Sequence, residues 1–283
     1  MAIILTSLNY KGGVGKTKNT TLNAYEVAKK GYKCLVVDLD PQSNATTVLI
    51  RTKQAHDPDN VFSFEKTLMT AVREESLENL AVPIIENLDL LPSYIDFANY
   101  STFLDKRFGV VEEGDPDYHE ITKQKITYFN QLLTPLKEQY DYIFIDCPPA
   151  LNLLTVNAMS AADSVLVPMQ CEYFALEGLT ALVDTISKLA AVVNPQLKIE
   201  GVLRTMFDHR NRLSNEVSEQ LKQYFGEKVY RTIIPRNVRL AEAPSHGTPV
   251  MYYDKSSLGS KAYLGLAGEL LRREEQQQKA EAS

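Results

Sequence analysis

What this chain of 283 residues lacks narrows its class before any motif is read. No apolar stretch approaches the ~20 residues that a membrane-spanning helix needs. The apolar opening at residues 2–5 is far too short for a secretory leader, so a cytosolic protein is expected. Cysteine is scarce, and Cys34, Cys147 and Cys171 lie far apart without the spacing of metal ligands. They are expected to be reduced, buried thiols, which sets aside disulfide scaffolds and metal–sulfur chemistry. The four histidines, His56, His119, His209 and His246, are scattered, and no Ser/His/Asp relay stands out. An overall surplus of positive charge is missing as well, since the net charge is −6. Residues 198–273 nevertheless carry 13 Lys and Arg against 8 Asp and Glu, a local +5 that leaves −11 elsewhere. Such asymmetry permits a basic face, suited to a polyanion, on an acidic molecule.

What is present is an ordinary globular composition, 44% hydrophobic and 23% charged, at a length that admits one large α/β domain or two small ones. Apolar, β-branched runs alternate with amphipathic segments, the pattern of a mostly parallel, twisted sheet covered by helices. Strands are expected at 3–8, 33–37, 88–91, 142–145, 164–167, 199–204 and 229–233. Helices are expected near 17–30, 60–74, 119–139, 152–161, 175–193, 211–226 and 256–273. Residues 51–118 hold two acidic, turn-like stretches, at 57–60 and 112–117, and read as surface loops around helices inserted into a single domain spanning 1–273. The polar residues 274–283, with three consecutive glutamines, are expected to fray.

The chemistry concentrates at Lys11-Gly12-Gly13-Val14-Gly15-Lys16-Thr17, which follows an apolar run and precedes a helix-like segment. Strand, glycine-rich turn and helix are the context a phosphate-binding loop requires. Glycines let backbone N–H groups close around phosphate oxygens, and the helix terminus adds partial positive charge. Lys16 would neutralise terminal phosphates and the Thr17 hydroxyl would ligate Mg²⁺. Two further carboxylates end apolar strands: Asp40 in Asp38-Leu39-Asp40-Pro41-Gln42, and Asp146 in Tyr142-Ile143-Phe144-Ile145-Asp146 ahead of Pro148-Pro149. Carboxylates at strand ends beside a phosphate loop can hold Mg²⁺ or orient a water.

The extra lysine at position 11 makes the loop resemble the deviant Walker A signature of the ParA/MinD family of ATPases, closest to the ParA/Soj partition type. The resemblance implies a P-loop α/β fold of about seven strands with helices on both faces. It also implies ATP and Mg²⁺ as ligands, and Lys11 reaching a partner protomer's nucleotide. By the same resemblance Lys11, Lys16 and Asp40 are catalytic, and Asp38 lies near the Mg²⁺ shell with Thr17, Asp40 and Asp146. Met206 and Pro235 match positions that pack on the adenine. The segments 205–210 and 234–247 match chromosome-partition members, in which the positions of Arg210 and Arg239 bind DNA without sequence preference, with Arg212 and Arg236 as helpers. Arginine forks suit phosphate oxygens, and no helix-turn-helix or zinc finger accompanies them to read bases. Lys18-Asn19 departs from relatives, which usually have more threonines there.

The function implied is a slow DNA-partitioning ATPase. An ATP-bound homodimer would hold duplex DNA nonspecifically and be released when a ParB-like centromere-binding protein stimulates hydrolysis. It would be cytoplasmic and nucleoid-associated, with no membrane partner and no operator-binding domain ahead of the phosphate loop. A MinD-like membrane-cycling or other cargo-positioning ATPase is the alternative. It would need a basic, bulky-apolar C-terminal helix, whereas the leucines here stop at Leu271 and the tail mixes both charges.

Overall fold

The computed structural model describes residues 1–59, 66–246 and 248–281. In chain order the elements are β1 (Ile3–Ser7), α1 (Lys16–Lys29), β2 (Cys34–Asp38), α2 (Asn44–His56), α3 (Leu68–Arg73), β3 (Val82–Ile85), β4 (Leu88–Leu91) and α4 (Tyr100–Phe108). There follow α5 (Tyr118–Leu133), β5 (Tyr142–Asp146), α6 (Leu153–Ala161), β6 (Ser164–Met169), α7 (Ala175–Val193), β7 (Lys198–Arg204) and α8 (Arg212–Phe225). The chain ends with α9 (Val238–Glu242), α10 (Val250–Tyr253) and α11 (Leu258–Glu281). The strands form one sheet in the order β3-β4-β2-β5-β1-β6-β7, parallel except for β3 against β4.

The central strands are apolar throughout because both faces of the sheet are covered. Alternate residues supply the two cores. Ile4, Leu35, Val37, Ile143 and Ile145 pack on one side with Phe129 of α5, Met159 of α6 and Leu182 of α7. Leu5, Val36 and Phe144 pack on the other with Leu22 of α1, Leu49 of α2 and Leu266 of α11. Burying a side chain of this size contributes about 1.5–3 kcal/mol. The chain leaves β1 toward β2 on one side and later reaches β6 on the other. The carboxyl ends of β1, β2 and β5 thus border the crevice where such sheets bind ligands.

The expected seven-stranded, mostly parallel sheet is present, but one member differs. Residues 229–233 form no strand: Val229 makes a single bridge to Val202, and the N–H groups of Arg231 and Thr232 donate to the Glu269 carboxylate at 2.7 and 2.8 Å. The N–H groups of Tyr230 and Ile234 still donate to the Val202 and Arg204 carbonyls of β7 at 3.0 and 2.9 Å, but the two between them are drawn off to Glu269 and the pairing is interrupted. The seventh strand is β3, which contains Pro83 and sits on the sheet edge, where a missing N–H is tolerated. Residues 51–118 therefore supply β3 beside the expected strand at 88–91, which is β4. The helix expected at 60–74 appears as α3; residues 60–65 lie outside the described residues. The tail expected to fray from 274 instead continues α11 to Glu281, with Glu274 buried and Gln277 donating to Glu200 at 3.4 Å. Residues 282–283 lie outside the described residues, as does Gly247 of the 234–247 match. Among the described residues no helix is long and apolar enough to cross a membrane.

Candidate functional site

The loop between β1 and α1 is pinned from behind. Val14 is buried, and its carbonyl accepts from the Thr205 hydroxyl at 2.9 Å, a hydroxyl that also reaches Met169 at the end of β6. Asn9 fixes the entry: its amide donates to the Pro168 carbonyl at 2.8 Å and its Oδ1 accepts from the Lys11 N–H at 2.9 Å. Gly13 and Gly15 adopt φ of 76° and 93°, left-handed values that side chains disfavour, and Gly15 caps α1. A Cβ on Gly12 or Gly13 would meet no atom within 4 Å, so the loop faces open space. That space is a cavity of about 540 Å³ lined by the loop, by Thr21 and Leu22 of α1, by Thr47 and Val48 of α2, by Asp40 and Met206, and by Leu240, Ala243 and Val250.

Lys16 is buried in the cavity wall, its Nζ donating to the carbonyls of Asn9 at 3.1 Å and Lys11 at 3.4 Å. Burial lowers its pKa, opposed first by the charge of Asp146 and also by that of Asp40. Lys18 also lines the cavity, and burial lowers its pKa too. Lys11 points elsewhere: its Nζ lies 2.5 Å from Glu172 Oε2 of the same chain, both side chains about half exposed.

The carboxylates divide the work. Asp146 is wholly buried at the end of β5; its Oδ1 accepts weakly from Thr20 at 3.5 Å, and among the described residues its Oδ2 has no hydrogen-bond partner. Burial, followed by the charge of Asp38, raises its pKa. Asp40 is buried at the cavity edge, with Oδ1 accepting from the Gln42 N–H at 2.9 Å. Asp38, expected near the metal shell, does not line the cavity. Its Oδ2 accepts from the N–H and hydroxyl of Thr46, both at 2.8 Å, and its Oδ1 from the Asp40 N–H at 3.1 Å. It holds the Asp40 loop and the start of α2 in place. The Thr17 hydroxyl and Asp40 on one cavity suit Mg²⁺, which takes one or two carboxylates and completes its shell with phosphate and water; Asp146, like Asp38, is buried and does not line the cavity.

Met206 lines the cavity at φ 49°, its sulfur 2.8 Å from the Gln170 amide nitrogen. Pro235 is outside the lining, although a backbone bridge to Phe207 sets it beside the Met206 segment. The same bridge brings the arginine segments together. Three of the four arginines hold carboxylates of their own chain. Arg210 grips Asp208 through Nε at 3.0 Å and Nη2 at 2.9 Å, holding that carboxyl down at about 2. Arg212 meets Glu216 at 2.7 Å, and Arg239 meets Glu242 at 2.8 Å and Asp254 at 3.5 Å. Arg236 is exposed and forms no salt bridge among the described residues. The three cysteines are free and buried.

Sequence reading passed over Thr20, Asn9, Thr46, Thr205 and Glu172, because each acts through contacts that only the fold creates. Thr46, eight residues past Asp38, carried the one local signal, that of a hydroxyl near a helix start.

A lysine-bearing glycine loop at the switch point of a parallel sheet, with a second lysine at its entrance and an acidic strand end opposite, defines a P-loop nucleotide-binding protein of the deviant Walker A class. A family model described as an AAA domain matches residues 1–199. The chain is 41% identical to the sporulation initiation inhibitor protein Soj of Bacillus subtilis, over 95% of this chain and 98% of that one. It is 40% identical to the chromosome partitioning protein ParA of Caulobacter vibrioides, over 97% and 96%. Among solved structures, cobyrinic acid a,c-diamide synthase of Mycobacterium smegmatis with bound ADP and magnesium is similar at a TM-score of 0.75 and 29% identity, over 97% and 96% of the chains. The chain belongs to the ParA/Soj family of partition ATPases.

Proposed function

We propose that this chain is a Mg²⁺-dependent ATPase that partitions chromosomal or plasmid DNA by cycling between two states. With ATP, two copies join and hold duplex DNA without sequence preference; after hydrolysis, stimulated by a ParB-like centromere-binding protein, they let go. The observation that carries the reading is the convergence of Lys16, Thr17 and Asp40 on one glycine-lined cavity.

Lys16 sits where its ammonium exchanges two backbone carbonyls for phosphate oxygens, which concentrates positive charge on the transferred group. Asp40, on a loop fixed by Asp38 and by the Leu39 N–H donating to the Asp146 carbonyl at 2.9 Å, orients the attacking water. Thr17 and Asp40, with Asp146 behind them, would hold Mg²⁺, which would neutralise charge building on the phosphates. Lys11 supplies the trans contact once it leaves Glu172. Met206 packs on the base, with Pro235 behind it. Arg210, Arg212, Arg236 and Arg239 meet phosphates along the duplex, the sequence-independent part of DNA affinity. The working site is the cytoplasm, on the nucleoid.

A titration of arbitrary duplex DNA with and without ATP, repeated at several salt concentrations, tests the reading. ATP-dependent, salt-sensitive binding is expected. A protein that ignores DNA yet sediments with anionic vesicles in ATP would replace this reading with the membrane-cycling one.

A further inference from the structure

A second cavity, of about 280 Å³, opens where α1 meets α10 and the start of α11, and it shares no lining residue with the phosphate-loop cavity. Tyr25 of α1 and Met251 of α10, both buried, form its inner wall. Glu26 stands in the same wall, 8% exposed. Among the described residues no hydrogen bond or salt bridge engages its carboxylate. Burial raises its pKa, opposed by the ammonium groups of Lys30 and Lys29. A carboxylate withdrawn from water without donors is unfavourable, and a ligand that brings donors relieves the penalty. The rim has the opposite sign. Lys29, Lys255 and Lys261 stand exposed around the opening, and none forms a salt bridge among the described residues. Tyr252, half exposed, presents its ring there, with the Lys255 ammonium 5.9 Å from the centroid.

Three ammonium groups outnumber one carboxylate, so the occupant must be anionic overall, which sets aside a lysine or arginine side chain. It must also carry uncharged donors for Glu26 and a flat body for Tyr252. We infer that this cavity binds a guanine nucleotide. Guanine presents two adjacent donors, N1–H and the N2 amino group, which suit the two oxygens of one carboxylate. Its ring can stack on Tyr252, and the phosphates at the far end of the nucleotide reach the ammonium groups of the rim. Adenine carries an acceptor at N1 where guanine carries N–H, so the Glu26 oxygens would repel it.

Calorimetric titration of GDP into the full chain, its phosphate loop first saturated with the non-hydrolysable analogue MgAMPPNP, tests the inference. GDP should bind, and ADP about tenfold more weakly or less. Glu26→Gln should weaken GDP about tenfold and leave the AMPPNP affinity unchanged, since it keeps the shape but loses the charge that accepts both donors. Because the wild-type carboxylate has no partner among the described residues, this variant should melt no lower than wild type without ligand. Lys255→Ala combined with Lys261→Ala, both on the exposed rim, should weaken GDP similarly and flatten its salt dependence. A loaded wild type that ignores GDP would overturn the inference. So would equal binding of ADP, or GDP binding that survives both sets of substitutions. Binding of poly-glutamate in place of GDP would also overturn it and make the cavity a seat for an acidic peptide. A chain that takes no AMPPNP yet binds GDP through Glu26 would remove the ATPase reading and leave this inference standing.

Discussion

Asp38 and Asp146 stand directly opposite each other in the parallel ladder of β2 and β5, and neither is exposed at all. Asp38 spends its oxygens on Thr46 and Asp40, whereas Asp146 keeps one oxygen unpartnered among the described residues. Burial raises the pKa of both carboxyls. A carboxyl raised in the folded state contributes stability below its unfolded pKa and loses it as pH rises through the folded value. The nucleotide-free wild type should therefore lose ground to Asp146→Asn, which does not titrate, as pH climbs from about 5 toward about 8. Urea melts of both proteins at three pH values measure the gap. A gap that stays flat would mean Asp146 is not held above its ordinary value.

Lys16→Ala should abolish nucleotide binding, because the cradle loses the ammonium that its own loop carbonyls now hold. Lys11→Ala should leave a monomer that still binds ATP. The Lys11–Glu172 pair is half exposed, so its loss costs no more than about 1 kcal/mol of stability. Light scattering in AMPPNP, alongside calorimetry, separates the two variants. A Lys11→Ala protein that still pairs would remove the trans role.

Arg239→Glu should lose DNA while keeping the ATP-dependent dimer. The wild-type guanidinium is fixed by Glu242 and Asp254 and lies 5.8 Å from the centroid of the Tyr253 ring, a rigid presentation for a phosphate. A gel shift with ATP reads the first property and sedimentation the second. Undiminished DNA binding would move the interface away from α9.

Tyr263→Phe should destabilise the fold by about 1–2 kcal/mol. Its hydroxyl, buried in α11, donates to Asn19 Oδ1 of α1 at 2.8 Å and joins segments at opposite ends of the chain. Denaturant midpoints measure the loss. An unchanged midpoint would show that the packing of α11 alone holds α1.

The sheet was legible wherever strands are apolar on both faces, as in Leu35-Val36-Val37 and Ile143-Phe144-Ile145. It was not legible where one distant residue decides. Glu269 takes the backbone donors of Arg231 and Thr232, and an apolar run that reads as a strand is left with an interrupted ladder. β3 carries Pro83, and its edge position accepts the missing N–H. The phosphate loop was readable because its glycines and lysines are contiguous. Glu172, the cis partner of Lys11, lies 161 positions away and leaves no local mark. Asp38 reads in sequence as a carboxylate near the metal shell, and the Thr46 contacts that occupy its Oδ2 leave no local mark there.

Arg210, Arg212 and Arg239 are already neutralised by acids on their own chain. Any polyphosphate that docks on them must trade places with a carboxylate, and each displaced carboxylate then gathers sodium or potassium from solution. Part of the cation release that drives such docking is thereby cancelled. The surface should accordingly tolerate added salt better than a tally of its guanidinium groups would suggest.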